Sequence, residues 1–200
     1  MSIEVVDWSP RWAEQFDEVA AVLRTALAGV VSARVEHVGS TSVPGLAAKP
    51  VLDVDVIVDG HDVAAAIAAL ESVGYVHRGD LGVTGREAFH APGAPRRNVY
   101  VCTAGTANVR NHLAVRDVLR SRDDLREAYA DVKRALAADP GMDIDTYLAG
   151  KSAVLQQVLE ASGQMTPEEM AAIRRLTLYL ARHLARRRHQ SCETVTNTAR

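Results

Sequence analysis

Val35-Glu36-His37-Val38-Gly39-Ser40-Thr41-Ser42 leads, through a loop holding Pro44, Lys49 and Pro50, into Val51-Leu52-Asp53-Val54-Asp55-Val56-Ile57-Val58. The first run is β-branched and stops at a glycine, where the backbone can turn sharply. Gly39-Ser40-Thr41-Ser42 then offers hydroxyls and backbone N–H groups with little bulk, a composition suited to cradling an anion. Pro44 and Pro50 stiffen the loop, and Pro50 biases Lys49 towards extended backbone.

In the second run, alternation decides the chemistry. Strand side chains change face at every residue, so Leu52, Val54, Val56 and Val58 share one side and Val51, Asp53, Asp55 and Ile57 the other. Two carboxylates about 6.5 Å apart along one face repel one another when desolvated, and a cation relieves them. A hard divalent metal, Mg²⁺ first, suits oxygen ligands. The competing reading is a solvated sheet face, but that would leave Val51 and Ile57 in water as well.

Outward from this pair, Ser9 and Pro10 open an amphipathic helix carrying Trp12, Phe16, Val19, Leu23 and Leu27, which Gly29 stops. Downstream, 61–73 reads as an Ala-rich helix, and 74–77, 86–90 and 97–103 as strands. Helices follow over 108–121, 123–138 and 143–161. Strands first and helices after is the order of an α+β domain with a mixed sheet and its helices packed on one side.

Gly39-Ser40 followed at twelve residues by Asp53-Val54-Asp55 resembles the glycine-serine and paired-acid signature of the nucleotidyltransferase superfamily, the polymerase-beta-like enzymes. The run from Glu36 to Pro50 is more closely similar to the GrpB family. So are Trp8 to Phe16, the Gly85-Arg86-Glu87 step before Phe89, Arg110 to Arg120, and Tyr147 to Ser152, which together cover about residues 5–162. The resemblance implies a metal-dependent enzyme that moves an NMP group from a nucleoside triphosphate to a small-molecule acceptor. Asp53 and Asp55 would hold Mg²⁺ or Mn²⁺. Gly39, Ser40 and Thr41 would meet the phosphates, with Lys49, Arg116 and Lys151 as cations around them. Arg116 has a plainer role open to it, pairing with Asp117 or Asp123.

His37, His90 and His112 lie in family-like segments, and a histidine can act as a base near neutral pH. His37, beside the Gly-Ser turn, is the candidate. A third carboxylate, usual in the superfamily, is missing: strand 97–103 has Asn98 and Tyr100 where an acid is wanted, and only Glu87 offers a substitute. A catalytically reduced module that binds a nucleotide or a partner protein therefore stands as the alternative.

Composition narrows the rest. From Met165 onward seven arginines face three glutamates, which leaves −6 on residues 1–164 of a chain at −2 overall. A body of that sign makes a poor general binder of nucleic acid. Cys102 and Cys192 match no metal or disulfide spacing, and no apolar run is long enough to span a bilayer. A cytoplasmic location follows as the expectation. The organisation expected is one domain over 1–163, then a basic helix and a disordered tail over 164–200, whose Ile173, Leu176, Leu180 and Leu184 stripe would suit a homodimer.

Overall fold

The computed structural model describes residues 3–175. Most of the expected C-terminal stripe, from Leu176 on, and the expected tail lie outside the described residues.

Helix α1 (Arg11–Ala26) has Pro10 at its N-cap, one residue later than the serine cap expected, and Ser9 Oγ accepts from the Arg11 N–H just before the first turn. Strands β1 (Arg34–Val38) and β2 (Leu52–Val58) pair antiparallel, with Val38 opposite Asp53 and Glu36 opposite Asp55. Helix α2 (Val63–Ser72) and strands β3 (Val76–His77), β4 (Arg86–His90) and β5 (Arg97–Thr103) complete the first half. The sheet order is β1-β2-β5-β4-β3, with β2 and β5 parallel and every other neighbour antiparallel.

Helices cover both faces of this sheet, not one. Val54, Val56 and Val58 of β2, with Val99 and Val101 of β5, pack under Trp12, Phe16 and Leu23 of α1 and Ala66 and Leu70 of α2. The acid-bearing face is not wholly polar: Ile57 and Cys102 form an apolar patch at its far end, and Val109 of α3 (Ala107–Ser121) covers them. Apolar surface on both sides has to be buried from both sides. Helices α4 (Asp123–Ala137), α5 (Ile144–Gly150) and α6 (Ser152–Ser162) build outward from α3 around Leu119, Tyr129, Val154 and Val158, with Val43 and Leu46 of the β1–β2 loop among them.

The single helix expected over 143–161 is two. Asp143 caps α5, accepting from the Asp145 and Thr146 N–H groups, and the helix breaks at Lys151. Gly150 lies against Leu136, where a Cβ would come within 2.7 Å of a methyl carbon. A side chain at this pass of α5 over α4 would push the end of Leu136 aside, and the joint leaves Lys151 facing inward. A last helical stretch, 167–175, is opened by Thr166 and Glu169, each side chain accepting from the other's backbone N–H. Arg110 of α3 pairs with Glu169 and ties this stretch to the domain. No helix among the described residues is long and apolar enough to cross a membrane.

Candidate functional site

Parity and register bring Asp53 and Asp55 to one face, as the alternation requires. Beside them on β5 stand Asn98 and Tyr100, the register partners of Asp53 and Asp55. Asn98 Nδ2 donates to Asp53 Oδ1 at 2.8 Å, so the residue in the third acid's place grips the first acid. His112 Nδ1 lies 2.7 Å from Asp55 Oδ2. Asp55 is 0% exposed, and its other oxygen, Oδ1, is buried with no hydrogen-bond partner. Burial works against a charged imidazolium at His112, but the hydrogen bond to Asp55 and the charges of both aspartates outweigh it and raise its pKa. Burial also raises the pKa of Asp53, opposed by Asn98 and His112.

Gly39 makes the approach of β1 possible. Its backbone, at φ 68° and ψ −173°, is in a region essentially reserved for glycine. A Cβ there would fall on Asp53 Oδ2 and within 2.9 Å of the Asp53 side-chain carbons. The turn that follows, Ser40–Ser42, is a short 3-10 helix with Ser40 at the cleft.

Two cavities meet at Ser40, Asp53 and Lys151. One, of ≈260 Å³, continues along His112, Ser152, Leu155 and Gln156. The other, of ≈310 Å³, is lined by Lys49, Arg96 and Lys133 as well. Burial lowers the pKa of all three lysines. Lys151 falls to about 8, partly held up by Asp53. Lys49 is lowered by burial and then by the charge of Lys151. Lys133 falls furthest, to about 6, through burial and then the charges of Lys151 and Arg134.

Gly39, Ser40, Lys49, Lys151 and the two aspartates are thus together, and four other candidates are elsewhere. Thr41 is buried, its hydroxyl 3.1 Å from His37 Nε2 and donating to the Val51 carbonyl. His37 is opposite Val54, on the other face of the sheet, stacked on Phe16 with ring centroids 4.5 Å apart. Burial and then the charges of Arg120 and Arg116 lower its pKa to about 4, and it has no path to the cleft. Arg116 is taken by Glu36 at 2.8 Å, by Asp117 and by the His37 carbonyl, the plainer of its two expected roles. Glu87 is opposite Val101, hence also on the far face, and pairs with His77. It does not replace the missing acid.

Lys133 and Arg96 are the cavity residues that sequence reasoning missed. A signal exists: Lys133 falls four residues after Tyr129, on the buried stripe of α4, where a lysine is out of place.

Two carboxylates on one strand face, with one orphaned oxygen, fit a hard divalent cation that completes its shell from phosphate oxygens. Among the described residues no three His, Cys, Asp or Glu side chains are arranged to hold a metal ion by themselves, so the protein would offer only part of such a shell.

A mixed sheet carrying paired acids beside a Gly-Ser turn, roofed by helices, is a nucleotidyltransferase-like fold. The structure of a GLD-2/RNP-8 complex matches it with a TM-score of 0.51 and 14% identity, over 76% of this chain and 60% of that one, a likeness of fold alone. The chain belongs to the GrpB family, whose GrpB protein model matches residues 2–161. A UPF0157 protein of Halalkalibacterium halodurans is 37% identical over 161 residues, 80% of this chain and 82% of the relative. The crystal structure of the conserved protein GrpB from Enterococcus faecalis matches with a TM-score of 0.70 and 33% identity, over 80% of this chain and 96% of that one.

Proposed function

We propose that the chain is a metal-dependent nucleotidyltransferase that moves an NMP group from a nucleoside triphosphate to a small-molecule acceptor. The observation that carries this reading is Asp53, which sits at the meeting point of the lysine-lined cavity and its neighbour. In this reading the Ser40 hydroxyl, Lys49 and Lys151 bind the phosphates, and Gly39 keeps the backbone low enough for them to approach Asp53. Asp53 and Asp55 would hold Mg²⁺ or Mn²⁺. What such an ion would supply is neutralisation of the charge that develops on the reacting oxygens. Asn98 and His112 fix the orientation of the two carboxylates through the hydrogen bonds described above. The acceptor enters by the cavity that His112 lines.

A second reading has one observation in its favour. Where a third carboxylate would stand, Asn98 donates to Asp53, which suits a module that binds the nucleotide without turning it over. One experiment serves both. ATP and the other triphosphates are titrated with and without Mg²⁺ on the wild type and on Asp53→Asn/Asp55→Asn, with release of pyrophosphate followed. Metal-dependent binding lost in the double variant supports a metal-triphosphate site, and turnover then separates enzyme from module. Triphosphate binding that neither metal nor the double variant changes removes the metal-dependent enzyme and leaves the module, and no triphosphate binding under any condition sinks both.

A further inference from the structure

Lys133 is difficult to explain as scaffolding. It is 1% exposed, and its Nζ has no hydrogen-bond partner. The Tyr129 ring lies against it, 4.4 Å from Nζ to the centroid. Across the same cavity, Lys151 and Lys49 lie over the Tyr147 ring at 4.9 and 5.4 Å. Arg96 lines the cavity too, and Asp53 is the single carboxylate among its described lining residues. Four side chains able to carry positive charge face one acid in a confined, partly desolvated space. Buried amines without hydrogen-bond partners there are satisfied when an anion arrives and supplies acceptor oxygens.

We propose that this cavity is a pyrophosphate site in its own right, binding a condensed phosphate through Lys133, Lys49 and Lys151 without any metal. The proposal deepens the nucleotidyltransferase reading, since pyrophosphate is both the tail of the substrate and the leaving group of the reaction. In this scheme the lysines would anchor the tail and the aspartates would serve the α-phosphorus, two separate jobs. The arriving anion also changes the protonation of Lys133. The charges and rings facing it are Lys151, Arg134 and Tyr129, with Lys49 across the cavity. Burial, then the charges of Lys151 and Arg134, hold the amine neutral at pH 8 against the attraction of the Tyr129 ring, and pairing with phosphate oxygens returns its proton.

Calorimetry on the full chain at pH 8, in EDTA, tests this with inorganic pyrophosphate and tripolyphosphate as probes and sulfate as the control. Binding is expected for the two condensed phosphates and not for sulfate. Lys133→Met should weaken it roughly tenfold to hundredfold, the worth of one charge-assisted hydrogen bond. The measured heat should also vary with the ionisation enthalpy of the buffer, and vary less in Lys133→Met. Asp53→Asn should keep the metal-free binding or tighten it. Absence of binding in EDTA, equal binding of sulfate, or a Lys133→Met protein that binds like the wild type overturns the proposal. Pyrophosphate binding without metal-dependent triphosphate binding would leave this proposal standing and remove the nucleotidyltransferase reading; the reverse pattern would do the opposite.

Discussion

Lys133→Met should make the protein more stable. A lysine with a pKa near 10.5 in the unfolded chain and about 6 when folded enters the native state without its proton at neutral pH. At pH 7 that deprotonation costs roughly 4–5 kcal/mol, at 1.36 kcal/mol per pKa unit. Water penetration and local relaxation lower the figure, and we expect a gain of about 2–4 kcal/mol from a methionine of similar length that leaves no amine to bury. The sign with pH follows from the lowered folded pKa. The unfolded chain binds the extra proton between pH 6 and 10.5, so the wild type gains stability as pH rises through that window. The advantage of Lys133→Met is therefore full below pH 6 and almost gone by pH 10.5. Urea denaturation of both proteins at pH 6, 7.5, 9 and 10 measures it. A variant less stable than the wild type at pH 7, or a difference that does not move with pH, would refute the reasoning. The same result would make the binding experiment clean, because a loss of affinity in a more stable protein cannot be blamed on unfolding.

Gly39→Ala should cost about 1–3 kcal/mol in urea denaturation, from the backbone region alone. It should also abolish metal-dependent triphosphate binding, because its Cβ takes the space of the Asp53 carboxylate; unchanged affinity would contradict the tight approach of β1 to β2. His37 gives an acid-side test. Its folded pKa is depressed to about 4 from an ordinary 6.5, so its contribution is present above pH 6.5 and lost as pH falls to 4. Wild type minus His37→Gln stability, measured at pH 7 and pH 4.5, should differ by about 2–3 kcal/mol, and equal differences at the two pH values would dismiss this.

How much of this could be read from residues alone varied with the kind of signal. The β2 alternation states its own faces, so the core side of Val54 and Val56 and the cleft side of Asp53 and Asp55 needed no partner strand to be known. Gly39 likewise announces a turn, although its collision with Asp53 depends on the register of β1. Glu87 shows the limit of such reasoning. One residue of register on β4 separates a side chain facing the cleft from one facing α1 and α2, and nothing local to Arg86-Glu87-Ala88 sets that register. The break at Gly150 was hidden because a glycine inside a helical pattern looks like a tolerated weakness. Only the presence of Leu136 beneath it turns it into a joint. Helix α3 posed a similar difficulty, since Val109 and Leu113 say that a face is buried and not which side of the sheet buries it. Lys133 was legible in principle, but Val132 before it and Arg134 after it make it look like one more charge on a solvated helix.

The order in which the chain can close its cleft follows from the parallel pairing of β2 with β5. Asp53 and the Asn98 that steadies it are 45 residues apart, and α3 to α6 come later still. A nascent chain leaving the ribosome therefore presents both acids to water on a bare hairpin long before their neighbours have been made. Closing a connection of that length comes before any contact across it is rewarded. Any fragment that ends before Arg97 would carry the aspartates with nothing to aim them, so proteolytic pieces or split versions of this protein should be unable to trap a nucleotide however well their hairpin forms.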